Sequence, residues 1–191
     1  MYEVMKFLHV LTVVFMAAPL YNLIVVNERV RFGKAPAAVD RYFENLIRGN
    51  AIRCYVFQLT ALATGILLIP IGGEAWQALF TNWVLLMKFL LLLVLAALLS
   101  WVTFGIQPRI DGLLSQVQGE TIPAEIAQRI TPLRGLRKRL AATCLFLVIV
   151  SVLLGLQVFS RFNPVVTVGL ILLAALFAWR VYRTPIPYGW V

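Results

Sequence analysis

The stretch WVLLMKFLLLLVLAALLSWVTFGI, residues 83–106, decides the fold class of this 191-residue chain. Lys88 is its one ionisable side chain, and a helix of about 20 mainly apolar residues spans the hydrocarbon core of a bilayer. Stretches of the same character lie at residues 4–26, 51–71 and 140–160. A fifth, at 164–179, is shorter, so that a re-entrant or interfacial helix is the alternative to a span there. The sequence predicts an all-α, polytopic membrane protein.

The composition agrees with this class. Apolar residues make up 61% of the chain and charged residues 13%, whereas a soluble domain has about 45–50% and about 25%. A soluble globular protein and a disordered chain are therefore excluded. The net charge of +9 does not indicate a nucleic-acid partner, because in a chain embedded in lipid a basic excess first reports loop orientation.

The basic residues are concentrated in two segments, residues 27–53 and 107–139, whereas the connection 72–82 contains none. By the positive-inside rule, the N-terminus is outside and the C-terminus is cytoplasmic in a multi-pass protein of the cell inner (plasma) membrane. Residues 40–53 and 123–140 have apolar residues at helical spacing. We expect them to form amphipathic helices at the headgroups, where their basic faces contact anionic lipid. Pro132 limits the continuity of the second helix.

The chain is predicted to be a single integral membrane domain, residues 1–191. Two helical hairpins, at about 4–71 and 83–160, would pack as a four-helix core. An extra transmembrane helix at about 164–180 would lie at its edge. The tail 184–191 contains two prolines and is expected to be extended.

The two hairpins also share short motifs, through either duplication or chance. MKFL occurs at residues 5–8 and again at 87–90. In the second helix of each hairpin a cysteine is followed eleven residues later by a glycine: Cys54 and Gly65, Cys144 and Gly155.

Each of the four core helices is predicted to carry one polar side chain at a similar depth in the outer leaflet: His9, Thr64, Lys88 and Gln157. An ionisable residue costs about 2.5–3.5 kcal/mol at the centre of a spanning helix, so it indicates a functional site. His9 is the only histidine, which excludes a bis-histidine haem within this chain. Its imidazole is a candidate ligand of a haem iron, with a neutral Lys88, a methionine or an open position opposite.

Structural roles are the alternatives for all four side chains. His9 would then be a hydrogen-bonded packing residue, and Lys88 would extend to the headgroups. Thr64 would bond its own backbone, and Gln157 would bridge two helices.

Part of the sequence resembles a known family. KFLHVL at residues 6–11 and AAPLY at 17–21 resemble the opening of HemJ-type protoporphyrinogen oxidases and of the related CopD-like small integral membrane proteins. Trp83 with Lys88 is similar to the HemJ helix that carries a tryptophan and a functional lysine, and the end of the fourth helix, 159–164, is also similar. The resemblance covers about residues 4–162. It implies a four-helix bundle holding haem b, with His9 as the ligand of the haem iron and Lys88 as a catalytic and cofactor-binding residue.

Two functions follow as hypotheses. The first is a b-haem redox protein for porphyrinogen or quinol oxidation and electron transfer. The second is an accessory subunit without chemistry of its own, packed against a larger respiratory or photosynthetic complex. Its partners would be the lipid bilayer and other membrane subunits or further copies of the chain. Whether the protein is an enzyme stays open between them. A transporter is less favoured, since broken helices and charged midplane residues are not evident.

Overall fold

The computed structural model describes residues 1–29, 36–158 and 162–183, and every regular element within these ranges is helical. The predicted extended tail 184–191 lies outside the described residues, as does Phe159. The elements follow in chain order: α1 Tyr2–Arg29, α2 Ala37–Ile71, α3 Ala78–Thr81, α4 Trp83–Ser100, a π-helical turn Trp101–Ile106, α5 Gln107–Leu114, α6 Ala124–Gln157 and α7 Pro164–Arg183.

Among the described residues, five helices are long and apolar enough to cross a membrane, which confirms the predicted class of a multi-pass membrane protein. They are α1, α2, α4 with its extension to Leu114, α6 and α7. The fifth apolar stretch forms a helix of 20 residues, which at 1.5 Å per residue is about 30 Å long. Its length is therefore sufficient for a span.

Helices α2 and α6 begin much earlier than their apolar stretches. The predicted amphipathic helices at 40–53 and 123–140 are not separate elements, because they form the first turns of α2 and α6. Each helix starts directly after a proline, Pro36 or Pro123, a residue tolerated at a helix start because the first N–H groups have no partner within the helix. Pro132 does not interrupt α6, contrary to expectation.

Helix α4 runs into α5 through a π-helical turn of six residues, Trp101–Ile106. Pro108 follows this turn and has no N–H to offer to the carbonyl group of Phe104, so regular α-helical bonding cannot continue there. A π-helical turn widens the helix and is frequently found at functional sites.

The helices pack around α6. Helix α1 contacts α2 and α6, α4 contacts α2 and α6, and α7 contacts α6. Because neighbouring helices are antiparallel, two ends of the molecule can be defined. The histidine end consists of the first turns of α1 and α4 and the last turns of α2 and α6. The arginine end consists of the first turns of α2 and α6 together with α5.

Candidate functional site

His9, on α1, is held by a hydrogen bond at the histidine end. Its Nδ1 lies 2.9 Å from the Thr64 hydroxyl oxygen on α2. The Thr64 hydroxyl itself donates to the Thr60 carbonyl oxygen at 2.6 Å. A hydroxyl has one proton, so we assign the proton of the His9–Thr64 bond to Nδ1. In the neutral ring this assignment leaves the lone pair on Nε2, where it can accept a proton or bind a metal.

A glycine makes room for this ring. Gly65 is next to Thr64 in α2, and a Cβ atom added to it would lie 3.1 Å from His9 Cε1. That is closer than ordinary van der Waals contact, so any larger residue would push the ring aside. Helix α1 can therefore place its imidazole directly on the backbone of α2.

Lys88, on α4, lies in a similar hollow. A Cβ atom added to Gly155 of α6 would lie 3.4 Å from Lys88 Nζ. Lys88 is half-buried and close enough to His9 for the two side chains to interact electrostatically. The two glycines that share a spacing in the sequence thus accommodate the two candidate residues.

Two of the four polar residues predicted at this depth, His9 and Thr64, are hydrogen-bonded to each other, and a third, Lys88, interacts with His9 electrostatically. Gln157 is directed elsewhere, because its Nε2 donates to the Thr167 hydroxyl of α7 at 3.1 Å. It bridges two helices, and Thr64 bonds its own backbone, as the structural alternatives for these two residues predicted.

His9 shares one feature with metal-binding histidines. A metal-binding histidine usually donates its second ring N–H to a neighbouring acceptor, which fixes the tautomer and the ring orientation. Thr64 provides that acceptor, and Lys88 is the nearby amine. Within the described ranges, no group of three or more His, Cys, Asp or Glu side chains could hold a bare metal ion.

The arginine end contains a second polar layer, which sequence reasoning missed. Glu44 of α2 accepts from Arg134 Nε at 2.9 Å and from Arg137 Nη1 at 2.5 Å, both on α6. Its carboxylate also accepts from Gln107 Nε2 of α5 at 2.9 Å. Asp40 accepts from Arg134 Nη1 at 3.1 Å. These five residues form what we call the charge network. It is buried, and Arg137 is 0% exposed.

The charge network explains why four charged side chains in the first turns of α2 and α6 are buried between the helices. Two carboxylates face two guanidinium groups, so the polar faces of the two helices are opposite in charge and bury one another. A signal was present in the sequence. Asp40 and Glu44 are four residues apart, and Arg134 and Arg137 are three apart, so each pair lies on one helix face.

Two cavities lie between the charge network and the apolar core. One of about 30 Å³, lined by Cys54, Cys144 and Arg137 among others, has room for about one water molecule. The other measures about 390 Å³ and lies beside the π-helical turn.

Comparison of this chain with protein-family models, curated proteins and solved structures gave no match.

Proposed function

We propose that this chain is a membrane redox protein that binds haem b at the histidine end, with His9 Nε2 as the iron ligand. One observation carries the proposal: His9 Nδ1 lies 2.9 Å from a Thr64 hydroxyl that donates to the Thr60 carbonyl oxygen, an arrangement that favours the proton on Nδ1 and the lone pair on Nε2. The likeness of residues 6–11 and 17–21 to the HemJ-type oxidases is consistent with it. Porphyrinogen or quinol would be the electron donor.

The roles of the residues follow from their positions. Thr64 orients the imidazole, and Gly65 lets α1 approach α2 closely enough for that hydrogen bond to form. Lys88 is close enough to His9 to interact with it electrostatically and would act as the second ligand or as a proton donor. When bound, haem b supplies one-electron chemistry.

The topology belongs to the same proposal. From the distribution of Lys and Arg we infer that the N-terminus is outside and the arginine end is cytoplasmic. Helices α1, α2, α4 and α6 would form the four-helix core, and α7 would be the peripheral fifth span. The first residues of α2 and α6 that are not in the charge network would contact anionic lipid.

A visible absorption spectrum of the purified protein tests the proposal. We expect a Soret band in the wild type and its loss in His9→Ala, with an unchanged band in Gln157→Leu, which alters a polar residue at the same end that contacts α7. A well-folded protein that stays colourless after expression with haem supplied would refute the redox function. In that case the accessory subunit would be favoured, and purification from native membranes would recover it with its partners.

A further inference from the structure

The larger cavity has the size and lining of a ligand site. Its volume of about 390 Å³ falls within the range of about 300–1,000 Å³ that is typical of small-molecule pockets. Leu20, Ile47, Leu99 and Val102 form much of its apolar wall. Phe104 lies at its edge and is 74% exposed, so the cavity adjoins the surface of the molecule that faces lipid.

Two polar side chains lie in the lining of the cavity, and one of them lacks the partner that such a group usually has. Asn50 lines the cavity and is only 5% exposed. The Thr103 hydroxyl is buried and has no hydrogen-bond partner among the described residues. A buried polar group without a partner costs about 1–3 kcal/mol. A ligand that accepts a hydrogen bond from Thr103 would remove that cost.

Thr103 differs from the other helical threonines that the structure describes. Each of the others donates its hydroxyl to the carbonyl oxygen four residues earlier: Thr12, Thr60, Thr64, Thr81, Thr131, Thr143 and Thr167. Thr103 lies within the π-helical turn, where the backbone does not follow α-helical spacing. The turn thereby leaves a hydroxyl without its usual partner next to the cavity.

The charged residues of the lining balance one another. Arg48 forms an ion pair with Asp111 at 2.6 Å, and the Gln107 amide already donates to Glu44 and Asp111. A phosphate would have to break the Arg48–Asp111 pair and would meet the Asp111 carboxylate. The lining therefore favours an uncharged molecule with hydrogen-bond acceptors over an anionic lipid headgroup.

We propose that this cavity binds the headgroup of a membrane quinone. A quinone ring is uncharged, fits an apolar wall, and has carbonyl oxygens that accept hydrogen bonds from the Asn50 amide and the Thr103 hydroxyl. Its hydrocarbon tail would leave the cavity past Phe104 into lipid. The binding does not depend on haem. Only an electron-transfer role for the bound quinone rests on the proposed function.

The test is photolabelling of the full-length protein in nanodiscs of phosphatidylcholine. An azidoquinone serves as the probe and decylubiquinone as the competitor, and labelled peptides are mapped by mass spectrometry. We expect labelling within residues 47–54 and 99–111, suppressed by the competitor. Thr103→Val and Asn50→Leu keep the side-chain size and remove the polar group, and each should raise the half-competing concentration about tenfold.

Two further variants separate a site from a folding defect. Ala51→Leu reduces the cavity volume and should abolish the labelling. Thr143→Val, which alters an exposed threonine of α6 that bonds its own backbone, should leave it unchanged. All variants are compared with the wild type by size-exclusion profile. If Ala51→Leu elutes as the wild type does and still labels at wild-type strength, the proposal is overturned.

Other outcomes would also overturn it. They are labelling spread over all helices, no labelling at all, and labelling displaced by phosphatidylglycerol in the nanodisc, which would identify a lipid headgroup site. A colourless protein that labels as expected would refute haem binding but support the quinone site. A haem-binding protein without labelling would do the reverse.

Discussion

The two ends of this protein both hold polar side chains inside a helical bundle, but they differ in whether ionisable groups lie opposite groups of the other charge. At the arginine end, Asp40 and Glu44 oppose Arg134 and Arg137 within hydrogen-bond distance. At the histidine end, no ion pair with His9 or Lys88 is formed within the described ranges. His9 instead bonds a neutral hydroxyl, and Lys88 lies against a glycine.

On the proposed function, the difference separates a layer that stabilises the fold from one that binds a cofactor. Buried charges that are paired and hydrogen-bonded hold helices in register, and the loss of one partner is costly. Ionisable groups without counter-charges contribute little stability, and their insertion into a bilayer costs free energy. Such groups therefore indicate a functional site. We therefore expect substitutions at the arginine end to change stability, and those at the histidine end to change cofactor binding.

The largest effect should come from Glu44→Gln, which removes the charge shared by Arg134 and Arg137. Loss of one member of a buried ion pair costs about 3–5 kcal/mol. Thermal unfolding of the protein in detergent should show this as a large fall in Tm. The double variant Glu44→Met with Arg137→Met removes the carboxylate together with one of its two arginine partners, while Arg134 keeps its ion pair with Asp40. Part of the lost stability should therefore be recovered. A Tm for Glu44→Gln within about a degree of wild type would show that the charge network has no structural role.

The next effect concerns the orientation of His9. Thr64→Val keeps the side-chain shape and removes the acceptor for Nδ1–H, and loss of such an outer-shell partner lowers metal affinity about 10–100-fold. Haem titration followed by the Soret band measures it. Thr60→Val is the matched control one turn earlier in α2, since that hydroxyl bonds only its own helix. Equal affinities for the two variants would contradict the role assigned to Thr64.

A smaller effect is expected when the hollow beneath His9 is filled. A glycine-to-alanine change within a helix is usually worth up to about 1 kcal/mol in favour of folding. Gly49→Ala, where a Cβ atom meets nothing within 4 Å, should show that gain in Tm. In Gly65→Ala the added methyl group displaces the ring, so the gain should be offset and haem retention reduced. A higher Tm, or better haem retention, in Gly65→Ala than in Gly49→Ala would argue against close packing of His9 on α2.

The smallest effect should be that of Arg48→Ala. Its ion pair with Asp111 is short but its side chain is 54% exposed, and exposed pairs contribute about 0–1 kcal/mol. Tm should fall by far less than in Glu44→Gln, although both changes break an ion pair at the arginine end. A fall as large as that of Glu44→Gln would show that burial does not explain the difference between the two pairs.

Much of the fold and part of the site could be predicted from the sequence. The lengths of apolar stretches gave five spanning helices, and the rise per residue placed His9, Thr64 and Lys88 at one depth. Depth alone does not say which helix faces are in contact. For this reason the sequence did not reveal that Gln157 bonds Thr167 of α7, or that Arg134 and Arg137 are directed at Glu44 instead of lipid. The π-helical turn at 101–106 also went unpredicted, because apolar periodicity does not distinguish it from an α-helix.

The account depends most on which ring nitrogen of the single histidine carries the proton. Nitrogen-15 NMR of histidine-labelled protein in bilayers measures this tautomer directly. With one histidine in the chain, the spectrum contains a single imidazole and needs no assignment. Haem-free protein should show a neutral ring protonated at Nδ1, and Thr64→Val should disturb that preference. A ring protonated at Nε2, or at both nitrogens at neutral pH, would contradict the account, because Nε2 would then have no lone pair to offer to a metal.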